Sequence, residues 1–486
     1  MMIYEFAALL SYFLVILGIG VWSSRKVHSS ADFILGSRSM NYWLTAMAAH
    51  ASDMSSWLFM GYPAVIFGGG LLLSWVAVGL LICMWFNWQV VAPKIRVLTE
   101  RLECSTFSSF FAKRLKDDSG VVCLLSAFFC IIFYSVYVCA GLVGLGILAE
   151  SLFGIDYIWG ISFGVVIVVV YVSLGGYIAL AWLDLVQGIF LLSIILFVPV
   201  YITMQLGGWK VIEAQILQKQ LSLSMVPTLD LAGILGVISM SFGWGLGYFG
   251  QPHIITKFMG IQHVAEIRKS QYVGMSWMLL SLVGATAVGL VGIAFFTNGL
   301  AHPETVFIEM VKETFHPFLV GLILCAVIAS TINVMSSQML VLCSTITEDI
   351  YKKFINQQAS SKRLLFVSRL GIFCVAVVAF IIAYAKVGSI FKLVLYAWSG
   401  LGSSFGPLIL LSLYSKSVNK YGACCGILIG GIIAAVWPLF DDMLTIKIDA
   451  MVPGFLIGLL TIQVVSMITN KMGATPAATL RSSTPQ

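Results

Sequence analysis

Apolar runs of roughly 20 residues, each closed by a short polar or glycine-bearing break, follow one another along nearly the whole chain. A helix on each run predicts about 13 membrane-spanning helices, starting near residues 4, 41, 66, 119, 157, 183, 231, 272, 317, 362, 388, 421 and 449. Runs of this length suit α-helices crossing a hydrocarbon core about 30 Å thick, not the short alternating segments of a membrane β-barrel. The expected fold is an all-α integral membrane domain over residues 1–470, followed by a polar tail at 471–486. No polar stretch is long enough for a separate soluble domain.

Two of the runs are interrupted. The second stops at Ala51-Ser52-Asp53-Met54-Ser55-Ser56, and the seventh at the glycines of Gly243-Trp244-Gly245-Leu246-Gly247-Tyr248-Phe249-Gly250. With an extra first helix over residues 4–22 set aside, each interrupted helix opens a block of five, at about 41–206 and about 231–414. Two further helices then occupy about 421–470. An odd block length inverts the second block relative to the first, the arrangement of two inverted repeats whose broken first helices line a shared site. Small residues alone would also allow close helix packing, but polar atoms accompany both breaks and favour the site. Unwound carbonyls ligate cations, while half-helix amino ends attract carboxylates. Asp53, costly in hydrocarbon as an ion, is expected to face a cation or polar partners. Trp244 and Tyr248, four apart, present both rings on one helical face as an apolar wall with a polar rim.

Composition agrees with the pattern: 60% of residues are hydrophobic, 10% are charged, and mean hydropathy is +1.00. The net charge of +6 is explained by placement. With the amino terminus outside, most of the 27 Lys and Arg fall in cytoplasmic segments, among them Arg25, Lys26, Arg38, Lys94, Arg114, Lys257, Lys353 and Lys420. This predicts a multi-pass protein of the plasma or inner membrane with a cytoplasmic carboxyl terminus. Its partners are then lipid and a small solute, with no nucleic acid. The 10 cysteines form no paired CxxC spacing and read as small packing residues. Nucleotide-binding loops, dinucleotide folds, zinc sites and nucleophile elbows are absent, so neither an enzyme nor an ATP-driven pump is expected. Any transport draws on an ion gradient.

Four segments carry a resemblance. GWGLGYFGQPHI at 243–254, ILGSRSM at 34–40, ASDMSSWLFMG at 51–61 and SSQMLVLCSTITEDIY at 336–351 resemble the sodium/solute symporter family and, within it, the proline-transporting branch. The resemblance implies 13 transmembrane helices, a core of two inverted five-helix repeats, and sodium-coupled uptake of L-proline by alternating access. It places Tyr137, Trp244 and Tyr248 at the solute site, with Ser55, Ser56 and Trp57 beside them. It assigns backbone carbonyls of Ala51 and Met54 to sodium and makes Asp53 the aspartate on which sodium dependence rests. Arg38 matches a functional arginine, and Asp184 a carboxylate further along the ion's inward route. From the residues alone, Tyr137 also fits a structural tyrosine, Arg38 a snorkelling topology charge and Asp184 an interfacial cap.

The chain departs from that pattern in two places. In the ninth helix Ser330 stands at a carbonyl-ligand position, but Asn333 and Val334 stand where the family has two adjacent hydroxyl residues that ligate sodium. Asn333 offers an amide oxygen and Val334 offers none, which weakens a site for a hard cation. His50 replaces a family glycine three residues before Asp53. On a continuing helix the two share a face, and an imidazole beside a carboxylate supports proton coupling; a hydrogen-bonded structural histidine is the plainer reading. Sodium is thus the expected coupling ion and the proton its alternative. Uptake of another small solute, or binding without transport, are the rival functions.

Overall fold

The computed structural model describes residues 2–24, 35–174, 177–443 and 447–473. The tail from residue 474 and the basic Arg25, Lys26 and Arg481 lie outside the described residues. Helices account for the described architecture, and its one isolated β-bridge joins Met40 to Ile261 in parallel. Among the described residues ten helices are long and apolar enough to cross a membrane, and three shorter apolar ones lie at Ala7–Ile16, Trp57–Gly69 and Tyr157–Val172.

The elements that position the central site are as follows. α1 is Met2–Ser24; α2, Tyr42–Ala51, and α3, Trp57–Gly69, are the halves of the first broken helix. α4 is Leu71–Arg101, α5 is Val121–Phe153 and α6 is Tyr177–Gln205. α7, Leu231–Gly250, and α8, Pro252–Met259, are the halves of the second broken helix. α9 is Val264–Phe295, α10 Pro317–Ile355, α11 Ser361–Tyr384, α12 Ile390–Tyr414, α13 Lys420–Val436 and α14 Met451–Lys471.

The polar residues between apolar runs supply helix caps. Asn41 accepts from the Leu44 amide at 2.9 Å to start α2, and Asp230 accepts from Gly233 at 3.0 Å to start α7. Ser360, Ser389 and Asn419 do the same for α11, α12 and α13. Each takes up one of the amide groups left without an intrahelical partner at a helix start.

Packing crosses between the two halves of the chain. α4 lies against α7, while α9 lies against α2 and α3; α5 packs on α12, and α6 on α10. α10 and α12 are enclosed along most of their length. Large apolar side chains cover the outside, including Leu14, Phe86, Phe163, Val200, Leu280 and Phe373. An apolar exterior around a core holding buried polar groups is the pattern of a lipid-embedded bundle.

The α4–α7 crossing is set by glycine. A Cβ on Gly79 would overlap the Ser241 backbone carbonyl, so no larger residue fits without moving α7. Gly79→Leu is expected to destabilise the folded protein by about 1–3 kcal/mol through overpacking. Thermal unfolding of the detergent-purified protein measures it, and an unchanged midpoint contradicts the close crossing.

Candidate functional site

The first break follows from where α2 runs out of hydrogen bonds. The Asp53 amide turns back to the His50 carbonyl at 3.2 Å, and the Ser55 amide bonds the Asp53 carbonyl at 3.2 Å, so the helical ladder does not continue through Ser52–Ser55. Ser55 Oγ accepts from the Trp57 amide at 3.2 Å and starts α3 as a serine cap does. Among the described residues no side-chain donor takes the Ala51 or Met54 carbonyl, leaving both for another partner.

The second break is closed differently. α7 tightens into a 3₁₀ turn over Leu246–Gly250, then Gln251 is extended and Pro252 starts α8. Side chains from elsewhere satisfy its carbonyls: Trp398 Nε1 donates to Trp244 O at 2.7 Å, and Asn87 Nδ2 to Tyr248 O at 3.0 Å. Gln251 Nε2 donates in return to Trp398 O at 3.1 Å. Gly247 is required here, because a Cβ would collide with the Trp398 indole nitrogen.

Asp53 joins the two breaks. Its Oδ2 accepts from the Tyr248 hydroxyl at 2.6 Å, and its Oδ1 lies 3.8 Å from His253 Nε2 on α8. The Tyr134 hydroxyl accepts from the His253 amide at 3.0 Å and lies 3.0 Å from His253 Nδ1. With the Tyr134 proton given to Nδ1, the imidazole carries its own proton on Nε2, the nitrogen nearer Asp53. Asp53, Met54, Trp57, Leu80, Tyr137, Trp244, Tyr248, Val394 and Trp398 line a cavity of about 10 Å³, room for about one water. Trp57 lies 5.0 Å from Trp244, ring centre to ring centre, and Trp244 lies 4.9 Å from Phe391. Trp398 meets Tyr248 edge-on at 5.1 Å.

Six of the fourteen expected residues, Met54 among them, line this cavity. Trp57, Tyr137, Trp244, Tyr248 and Asp53 share the cavity. Ser55 spends its hydroxyl on the α3 cap, and Ser56 packs against Gly144 with its hydroxyl unpartnered. Ser330, Asn333 and Ser337 follow at helical spacing on one face of α10. Ser330 Oγ donates to its own helix at Val327 O, 2.9 Å away. Asn333 is fully buried and its amide lies beside the Asp184 carboxylate. Val334 is buried and apolar.

Three expectations change. His50 does not share a face with Asp53, because α2 ends at Ala51 and three-residue spacing holds only on a continuing helix. Its Nε2 instead accepts from Trp88 Nε1 at 3.1 Å, in a packed layer with Trp277 and Gly274. Arg38 does not snorkel: its guanidinium is spent on the carbonyls of Met259 at 2.9 Å, Thr99 at 3.0 Å and Cys104 at 3.0 Å. Asp184 is no interfacial cap; it is fully buried and paired with Lys257, which is itself buried rather than in a cytoplasmic loop.

His253, Trp398 and Asn87 were not anticipated. His253 lies within the GWGLGYFGQPHI segment, next to its last residue, so its position was available as a signal. Trp398 and Asn87 had none, since a tryptophan and an asparagine inside apolar runs are ordinary packing residues until their long-range partners are known.

Two discontinuous helices whose polar gaps face each other inside an all-helical membrane bundle define a secondary transporter. The chain belongs to the Sodium:solute symporter family, which it matches over residues 33–430. It is 39% identical over 455 residues to the High-affinity proline transporter PutP of Bacillus subtilis (strain 168), covering 93% of this chain and 95% of that protein. It is 38% identical over 476 residues to the Sodium/proline symporter of Staphylococcus aureus (strain bovine RF122 / ET3-1), covering 95% and 92%. A Na+-coupled sialic acid symporter solved in a substrate-bound outward-open state has the same fold, with a TM-score of 0.80 at 16% identity over 98% of this chain and 99% of its own. The protein is thus a multi-pass membrane symporter and not an enzyme.

Tyr248→Phe leaves Asp53 Oδ2 without its hydroxyl donor and is expected to cost about 1.5–3 kcal/mol of stability. Thermal unfolding in detergent reads the loss; a midpoint equal to that of the unsubstituted protein contradicts the link between the breaks.

Proposed function

We propose that this protein carries L-proline into the cell with sodium as the coupling ion. The observation that carries the reading is Asp53, a buried carboxylate of the first break held by Tyr248 of the second, at a cavity lined from both. Residues 41–206 and 231–414 act as inverted repeats, with the amino terminus outside and the carboxyl terminus cytoplasmic, as the basic residues favour.

The unclaimed carbonyls of Ala51 and Met54 bind sodium together with oxygen from Ser330 and Asn333 on α10. Asp53 supplies negative charge next to that ion and orients the Tyr248 ring through its hydroxyl. Trp57, Tyr137 and Trp244 form the apolar wall that suits a pyrrolidine ring, with Ser55 and Ser56 at its edge. Arg38 ties the segment before α2 to the end of α8 and is part of the closure on that side. The cavity, about 10 Å³, is too small for an amino acid, so uptake requires the bundle to open around it. Sodium drives the cycle only as far as it binds one state more tightly than the other.

A proton in place of sodium is the second reading. It is favoured by His253 Nε2 at 3.8 Å from Asp53 Oδ1, and not by His50, whose Nε2 is occupied as an acceptor.

Proline uptake into proteoliposomes under imposed gradients separates the two. Inward sodium at fixed pH is expected to stimulate uptake; stimulation by an inward proton gradient alone would assign the proton, and accumulation of a different solute would overturn proline. Asp53→Asn is expected to abolish the sodium response. Val334→Ser restores a hydroxyl and is expected to lower the sodium concentration for half-maximal uptake by roughly fivefold to tenfold, the worth of about 1–1.4 kcal/mol. An unchanged sodium response in Val334→Ser counts against a missing ligand at that position.

A further inference from the structure

The outer face of the bundle carries a groove of about 490 Å³ between α4 and α9. Ile82, Trp85 and Phe86 stand on one wall, all three exposed. Tyr272, Met275, Ser276 and Leu279 form the other. These four lie at i+4, i+7, i+8 and i+11 from Arg268, so Arg268 heads the same stripe of α9. From Tyr272 to Leu279 the wall runs about 10 Å along the helix.

The two ends of the groove differ. Around Ile82 and Leu279 the lining is apolar. At the other end Trp85 and Tyr272 meet edge-on with ring centres 6.5 Å apart, and Gln89 Nε2 donates across the seam to Gln271 Oε1 at 2.8 Å. The Arg268 guanidinium lies there too, 5.9 Å from the centre of the Tyr272 ring. No carboxylate among the described residues pairs with Arg268, although its neighbour Lys269 lies 3.8 Å from Glu266. Tryptophan and tyrosine gather at the boundary between hydrocarbon and headgroups, which puts an arginine one turn beyond them at headgroup level. An apolar slot that ends in aromatic rings, amides and an unpaired cation has the polarity of a phospholipid. The guanidinium fork matches a phosphodiester. A zwitterionic headgroup would bring another cation beside Arg268 and Lys269, whereas an anionic one brings none.

We propose that the α4–α9 groove binds an anionic phospholipid, with one acyl chain in the slot and the phosphodiester on Arg268. In the orientation argued above, the basic end faces the cytoplasm and the lipid belongs to the inner leaflet. The site bears on transport through its walls. α4 closes on α7, while α9 lies against α2 and α3, so a lipid held between them ties together helices that support both breaks. The site itself depends on neither proline nor sodium, because lipid binding is read without either.

Native mass spectrometry of the full-length protein in detergent tests the site, with palmitoyl-oleoyl phosphatidylglycerol and phosphatidylcholine of the same chains as probes. One phosphatidylglycerol is expected to bind about tenfold more tightly than phosphatidylcholine. Arg268→Gln is expected to abolish that preference, and Lys269→Gln, which changes the partner of Glu266, to preserve it. Equal affinity for the two lipids overturns the proposal, as does a preference that survives Arg268→Gln. Ser276→Trp fills the slot and is expected to expel the tightly bound lipid; its full retention places the lipid elsewhere and overturns the site. Should Ser276→Trp fail to fold, dibrominated phosphatidylglycerol locates the chain through the exposed Trp85. It is expected to quench more tryptophan emission in the unsubstituted protein than in Trp85→Phe, and equal quenching overturns the site. A dimer that shuts lipid out of the groove would make a second copy its occupant and likewise overturn the proposal.

Discussion

Backbone that has left the helix cannot face hydrocarbon, since each unpaired amide or carbonyl there costs several kcal/mol. Two broken helices in one bundle therefore have to be enclosed, and much of the surrounding structure is arranged around that need. Gly79 lets α4 close on α7, Gly247 admits Trp398, and Trp398 and Asn87 then cap the carbonyls of Trp244 and Tyr248. The same enclosure brings Asp53 within 2.6 Å of the Tyr248 hydroxyl, so one break supplies the polar surroundings of the other.

The two breaks are not equivalent. The second is closed by side chains from α4 and α12, which makes it a fixed wall carrying the aromatic rings. At the first, Ser55 satisfies the amide that begins α3, whereas the carbonyls of Ala51 and Met54 receive no side-chain donor among the described residues. An aromatic wall thus faces a break whose carbonyls are open, an apolar surface set against oxygen acceptors.

The breaks themselves were legible in the chain. A Ser-Asp-Met-Ser-Ser interruption and a glycine ladder at matching places in two blocks are local features, and the capping residues Asn41, Asp230, Ser389 and Asn419 are local as well. What depended on long-range packing was not legible. Trp398 and Lys257 acquire their roles only from partners more than 70 residues away, as with Lys257 and Asp184. His50 shows the opposite failure, because helical spacing was extended across a point where the helix had already ended, and the imidazole went to Trp88 instead. Asp184 stands out in the sequence as a carboxylate inside an apolar run, but its counter-ion Lys257 reads there as a lysine of a cytoplasmic segment.

The parallel bridge at Met40 has a mechanical meaning. The Met40 amide donates to Gly260 O at 3.2 Å and the Met40 carbonyl accepts from Gln262 at 2.8 Å, while Arg38 grips Met259 O at 2.9 Å. Met40 lies just ahead of α2, and Gly260 just beyond α8. The two half-helices are thereby coupled at their far ends like a pair of oars on one crossbar. A rotation of one half-helix would strain the backbone bonds and the Arg38 grip that tie it to the other.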